Sequence, residues 1–137
     1  MQRRTFLTLA AGAALAPAVL HADPIPYTPG LVYKELAAGK TVFVDFYATW
    51  CTTCRAQHRV MDRLKAENPA YEQQITFVQV DWDTYKDDKL RHDLQIPRRS
   101  TLVVLKGSME LGRIVAGTDE AQIKALFDTA LAAATGA

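Results

Sequence analysis

Two cysteines stand three positions apart in the stretch YATWCTTCRAQ (47–57), and Cys51 and Cys54 are the only two among 137 residues. Such a pair serves as a metal clip, a structural staple or a reactive dithiol. The staple gains little here, because a disulfide stabilises more as the loop it closes grows longer, and this loop holds only Thr52 and Thr53. With His58 the pair spells C-x2-C-x3-H, and two thiolates with an imidazole suit Cu(I) or Zn(II). A structural zinc normally takes four ligands, and no second pair stands nearby in the sequence. His58 reads instead as a solvated helix residue. Arg55 after Cys54 excludes the C-x-x-C-H pattern of haem attachment. A docking module with a permanently closed disulfide is a third alternative. The elements around the pair decide between these readings.

The segment TVFVDFYA (41–48) is almost continuously apolar, β-branched and aromatic, the composition of a strand buried on both faces of a sheet. Asp45 is its one acid. From Thr52 to Asn68 the pattern predicts a helix, stopped by Pro69. Cys51 thus falls at a strand-to-helix junction, where unpaired N–H groups and the positive end of the helix dipole favour a thiolate. Cys54 lies one turn further on the same face, placed to resolve a mixed disulfide. Position inside a strand–helix–strand pattern turns the ambiguous motif towards redox chemistry.

The other elements follow from similar cues. Thr28-Pro29 with GLVYKELAAG predicts a short helix capped at Thr28, and ITFVQVDW (75–82) a second strand. Thr84 opens a single charged helix ending near Leu94. TLVVL (101–105) and ELGRIVAG (110–117) form a hairpin around Lys106-Gly107-Ser108. Thr118 caps a last helix whose apolar positions include Ile123, Leu126, Phe127 and Leu131. The order αβαβαββα implies an α/β fold, a mixed central sheet flanked by helices on both faces.

Composition bounds the function. A chain with 49% hydrophobic and 23% charged residues has room for one ordinary globular domain, and a formal charge of +1 offers no field to draw nucleic acid. The first 22 residues, MQRRTFLTLAAGAALAPAVLHA, have the basic start, apolar centre and small-residue end of a bacterial signal peptide. Arg3 and Arg4 before Thr5, Phe6 and Leu7 have the form of a twin-arginine address. A Sec signal that carries two arginines, or a retained anchor, are the alternatives, the anchor disfavoured by the short run and Pro17. Processing is expected after Ala22, with Ala18 second, leaving residues 23–137 as one domain in an oxidising periplasm with no stable membrane insertion.

VDFYATWCTTC resembles the active-site stretch of the thioredoxin family, in which an Asp precedes Trp-Cys-x-x-Cys by the same spacing. The resemblance covers roughly residues 28 to 133, and GKTVFVDFYATWC is most similar to the periplasmic thioredoxin-like domain of DsbD-type transmembrane reductases. It implies a thioredoxin fold and thiol–disulfide oxidoreductase activity without a cofactor. Cys51 would attack, Cys54 would resolve, Trp50 would pack beside them, and Asp45 would help take the proton from Cys54. Gly117 would let a partner backbone approach. The implied partners are protein disulfides, with a membrane thiol reductase to recycle a monomeric protein.

Three departures matter. Thr52-Thr53 replaces the Gly-Pro common between the cysteines, and with no basic residue there the pair reads as a reductant rather than a strong oxidant. Gln79 stands where a lysine often accompanies the buried acid. Aligning TLVVLK with the family strand puts Ser100, preceded by Arg99, where the family carries a cis-proline that grips substrate backbone. Pro97 comes three residues too early, and using it would draw Arg98 and Arg99 into a buried strand. A cis bond before serine costs about 2.5 to 4 kcal/mol, so a trans Arg99–Ser100 bond is expected, with Ser100 facing Cys51. Arg98 and Arg99 would add positive charge beside the site.

Overall fold

The computed structural model describes residues 12, 13 and 23–136. Apart from residues 12 and 13, the segment 1–22 read as an export signal lies outside the described residues.

Five strands form one mixed sheet in the order β1-β3-β2-β4-β5. The strands are β1 (Ile25–Pro26), β2 (Thr41–Tyr47), β3 (Thr76–Asp81), β4 (Thr101–Lys106) and β5 (Met109–Val115). β1 and β2 run parallel to β3, whereas β4 runs antiparallel to both β2 and β5. The central position of β2 explains its nearly continuous apolar run, interrupted by Asp45, because a strand paired on both sides and covered on both faces has no face left for water.

Its alternation assigns the two faces. Phe43 points into a core with Val60, Met61 and Leu64 of α2 (Thr52–Glu67), Tyr71 of α3 (Ala70–Gln74), and Ile123 and Phe127 of α6 (Glu120–Thr135). Val42, Val44 and Phe46 face the other way, against Val32 of α1 (Leu31–Ala37), Leu90 of α5 (Lys89–Asp93) and Ile96. Because side chains alternate along a strand, Asp45 shares the α2 face with Phe43. That parity carries the one acid of β2 beneath the cysteine helix.

Several boundaries depart from the sequence expectations. The single charged helix after Thr84 is two: α4 (Trp82–Tyr85) and α5, each with its own aspartate cap. Asp81 accepts from the Asp83 amide at 3.1 Å and Asp88 from the Leu90 amide at 2.9 Å; the second cap starts a new helix where the first would have continued. Helix α6 is capped by Asp119, not Thr118, its carboxylate accepting from the Gln122 amide at 2.9 Å. Helix α1 starts after Gly30, which sits at φ 87°, rather than at a Thr28 cap. The two-residue β1 and the single-turn α3 are too short for periodicity to reveal. No helix among the described residues is long and apolar enough to cross a membrane.

Candidate active site

The backbone leaves β2, turns with the Cys51 amide donating to the Ala48 carbonyl at 3.2 Å, and enters α2 with Cys51 as its N-cap. The Cys54 amide then donates to Cys51 Sγ at 3.2 Å, so an otherwise orphaned helix N–H serves the sulfur. Both cysteines are buried and unbridged. Ser100 Oγ lies 3.1 Å from Cys51 Sγ and 3.1 Å from Cys54 Sγ, and a single hydroxyl therefore touches both sulfurs.

Environment separates the two thiols. Burial alone would push Cys51 up, but hydrogen bonds from Cys54, Ser100, the Cys54 backbone and Arg99 outweigh it and bring the thiol down to about 7. Cys54 moves the opposite way, raised by burial and by its proton-sharing with Cys51. The first sulfur is thus about half thiolate at neutrality, and the second holds its proton until it must resolve.

Ser100 is held by its backbone. Its amide donates to the Phe46 carbonyl at 2.7 Å, and its carbonyl accepts from the Ala116 amide at 2.8 Å and from Gln57 Nε2 at 3.0 Å. It adopts φ 63°, a left-handed conformation that costs an L-residue about 1 to 2 kcal/mol. The Arg99–Ser100 bond is trans, and Pro97 is trans and exposed on the surface. Gln57 is the clamp: fully buried on α2, it also donates to the Gly117 carbonyl at 2.9 Å. In the sequence the only signal of Gln57 is that, three positions after Cys54 and in register with Met61 and Leu64, it interrupts an apolar helix face with a polar residue. Gly117 has no room for a side chain, since a Cβ there would stand 2.8 Å from Ile114 Cγ2.

Other expected residues land differently. Trp50 does not pack into the core beside the cysteines; it is 52% exposed. Its indole N–H donates to Asp83 Oδ2 at 2.8 Å, and the Arg99 guanidinium lies 4.3 Å from its ring centroid, a cation–π contact at the rim of the site. Arg98 turns into its own loop, donating through Nε to the Arg99 carbonyl at 3.0 Å. Thr52 is exposed and Thr53 half-buried in the first turn of α2. Asp45 is buried and pairs in register with Gln79.

His58 is the principal correction. Rather than facing water, it places Nε2 2.6 Å from Asp45 Oδ2. That contact takes its Nε2 away from the C-x2-C-x3-H reading, and among the described residues no three His, Cys, Asp or Glu side chains gather as a metal-holding group.

A buried parallel strand delivering a low-pKa cysteine to a helix N-terminus, with a protonated partner one turn away, defines a thiol–disulfide exchange site on a thioredoxin fold. The chain belongs to the thioredoxin family, whose model, described as Thioredoxin, matches residues 31–129. A thioredoxin of Aspergillus fumigatus is 29% identical over 107 residues, spanning 78% of this chain and 94% of its own. The thiol:disulfide interchange protein DsbE of Escherichia coli is 36% identical over 63 residues, which cover 44% of this chain and 29% of DsbE. Among solved structures, Trxlp of Edwardsiella tarda superimposes with a TM-score of 0.67 at 27% identity, covering 77% of this chain and 98% of that one. Membership implies thiol–disulfide oxidoreductase chemistry on protein disulfides in general terms.

Proposed function

We propose that this protein is an exported reductant of protein disulfides, working as a monomer in the bacterial periplasm and re-reduced by a membrane thiol reductase of the DsbD type. The observation that carries the reading is the split between the two thiols around Ser100 Oγ, 3.1 Å from each sulfur. Cys51 thiolate attacks one sulfur of a substrate disulfide, forming a mixed disulfide and releasing the other sulfur as a thiolate. Cys54 then loses its proton, with Asp45 as the acceptor, and attacks Cys51 Sγ. The bond from Cys51 to the substrate sulfur it first attacked breaks, its electron pair leaves on that sulfur, and the two substrate thiolates take up protons. Two electrons have passed from the protein to the substrate.

A nucleophile near 7 supports the reducing direction, because strong oxidants of this chemistry stabilise their thiolate much further, to about 3.5. The basic and then apolar segment before Asp23 supports export. The purified protein should reduce insulin disulfides with dithiothreitol as electron source, and equilibration against glutathione should give a potential below about −200 mV. A potential near −120 mV would make it an oxidant, and failure to reduce insulin would leave a docking module. Residues 1–22 fused to a reporter should direct it to the periplasm, and Arg3→Lys with Arg4→Lys should abolish that transport if the address is twin-arginine.

A further inference from the structure

Asp45 and His58 form a pair that bridges the sheet interior and water. The Asp45 side chain is 5% exposed and the His58 side chain 25%. While Asp45 is ionised its carboxylate can only accept, so His58 Nε2–H donates to Oδ2 across the 2.6 Å contact. The other oxygen, Oδ1, is buried and has no hydrogen-bond partner among the described residues. Beside the pair a cavity opens between α2 and β3, lined by Asp45, His58, Asp62, Lys65 and Gln79. Helical spacing sets His58 one turn beyond Cys54 on the same face of α2.

The groups facing His58 come from three elements. On β2 are the Asp45 carboxylate and the Tyr47 ring, whose centroid lies 5.8 Å from the imidazole. On α2 are Asp62, favouring the charged imidazole, and Lys65, opposing it. On β3 the position opposite Asp45 is the uncharged Gln79. The hydrogen bond to Asp45 is the largest influence and outweighs desolvation, holding His58 above its ordinary value. A lysine beside the acid would stay protonated throughout the physiological range, whereas an imidazole gains and loses its proton within it.

We propose that His58 is the positioning residue of Asp45, giving its own proton to solvent as Asp45 takes up the Cys54 proton, so that an acid–imidazole pair drives the resolving step. The proposal rests on the reading that Asp45 accepts that proton. In the resting pair the imidazolium faces the carboxylate. The proton leaving Cys54 is taken up by Asp45, whose Oδ1 is free to receive it. Neutralising the carboxylate removes what holds the imidazolium charged, and His58 releases its own proton to water through the cavity. The pair has then gained one proton and lost one, and the released proton is available to the departing substrate thiolate.

Two measurements test this. In the full-length protein, the His58 Cε1–H resonance, assigned by its loss in His58→Gln, should titrate above the ordinary value near 6.5. Its midpoint should fall in Asp45→Asn, and in the wild type it should differ between the dithiol and disulfide states. Second, release of glutathione from a preformed Cys51–glutathione mixed disulfide should be followed against pH. The wild-type profile should contain an ionisation at the His58 midpoint. His58→Gln should lose that ionisation and slow release by roughly tenfold at pH 7, less than the ~100-fold or more of a full acid–base group because Asp45 remains.

If Asp45→Asn slows release but His58→Gln keeps the wild-type profile, Asp45 acts alone and the proposal is overturned. If Asp45→Asn releases glutathione at the wild-type rate, the reading beneath the proposal fails as well. Should His58→Gln not fold, the wild-type titration decides. A midpoint at or below 6.5, unmoved by Asp45→Asn and by oxidation, overturns the proposal.

Discussion

Cys51→Ser has no measurable disulfide exchange, whereas Cys54→Ser attacks normally and then stops as a covalent mixed disulfide with its substrate. These are the expected outcomes of the split between the two thiols. In the reduced wild type, iodoacetamide should label Cys51 first, and the size of the preference follows from the environments. A drop from an ordinary thiol near 9 to about 7 raises the thiolate fraction at pH 7 roughly fifty-fold. Intrinsic nucleophilicity falls with thiolate basicity, by about tenfold across the same span, which leaves a net preference of about fivefold. Cys54, buried and raised, widens that margin. The labelling rate of Cys51 should climb through a midpoint near 7, because below it the sulfur is a thiol. Mass spectrometry of the alkylated peptide reads the result. Preferential labelling of Cys54 would reverse the assignment.

Ser100→Pro places the family's residue into a backbone built for something else, and it should destabilise the fold. Proline fixes φ near −65°, and this position stands at 63°. Proline also removes the amide that donates to the Phe46 carbonyl at 2.7 Å, leaving a buried acceptor without its partner. The lost bond alone costs about 1 to 3 kcal/mol, and the backbone mismatch adds to it. A fall in stability on the order of 2 to 4 kcal/mol should appear as a lower urea midpoint at unchanged slope. Ser100→Ala isolates the side chain, since it keeps the amide and removes only the hydroxyl shared by the sulfurs. A hydrogen bond to a charged group contributes about 1.5 to 3 kcal/mol, so the Cys51 midpoint should rise by about one unit or more. Attack at pH 7 should slow several-fold while stability changes little. If Ser100→Pro were as stable and as fast as wild type, neither the left-handed backbone nor the hydroxyl would shape the site.

Residue order by itself determined the chemistry and the frame that presents it. The apolar run 41–48 reads as a covered strand and the Cys-x-x-Cys after it as the start of a helix, and both stand there in the fold. Local periodicity and composition are short-range signals, which is why the hairpin and the cysteine helix were legible to within two residues. Competing side-chain caps were not, because Asp81 caps in place of Thr84, Asp119 in place of Thr118, and Asp88 starts a second helix, through hydrogen-bond geometry that spacing does not reveal. Only the tertiary structure decided who stands around the sulfurs. Ser100 is 49 residues from Cys51, and its contact depends on the antiparallel pairing of β4 with β2. Gln57 holds that loop across 43 residues, and neither partner announces the other. His58 is the sharpest case. Its position on α2 allows either water or the sheet, and Asp45 alone, brought beneath the helix by the alternation of β2, draws the imidazole inward. A buried carboxylate needs a donor, and folding delivers the one that reaches it.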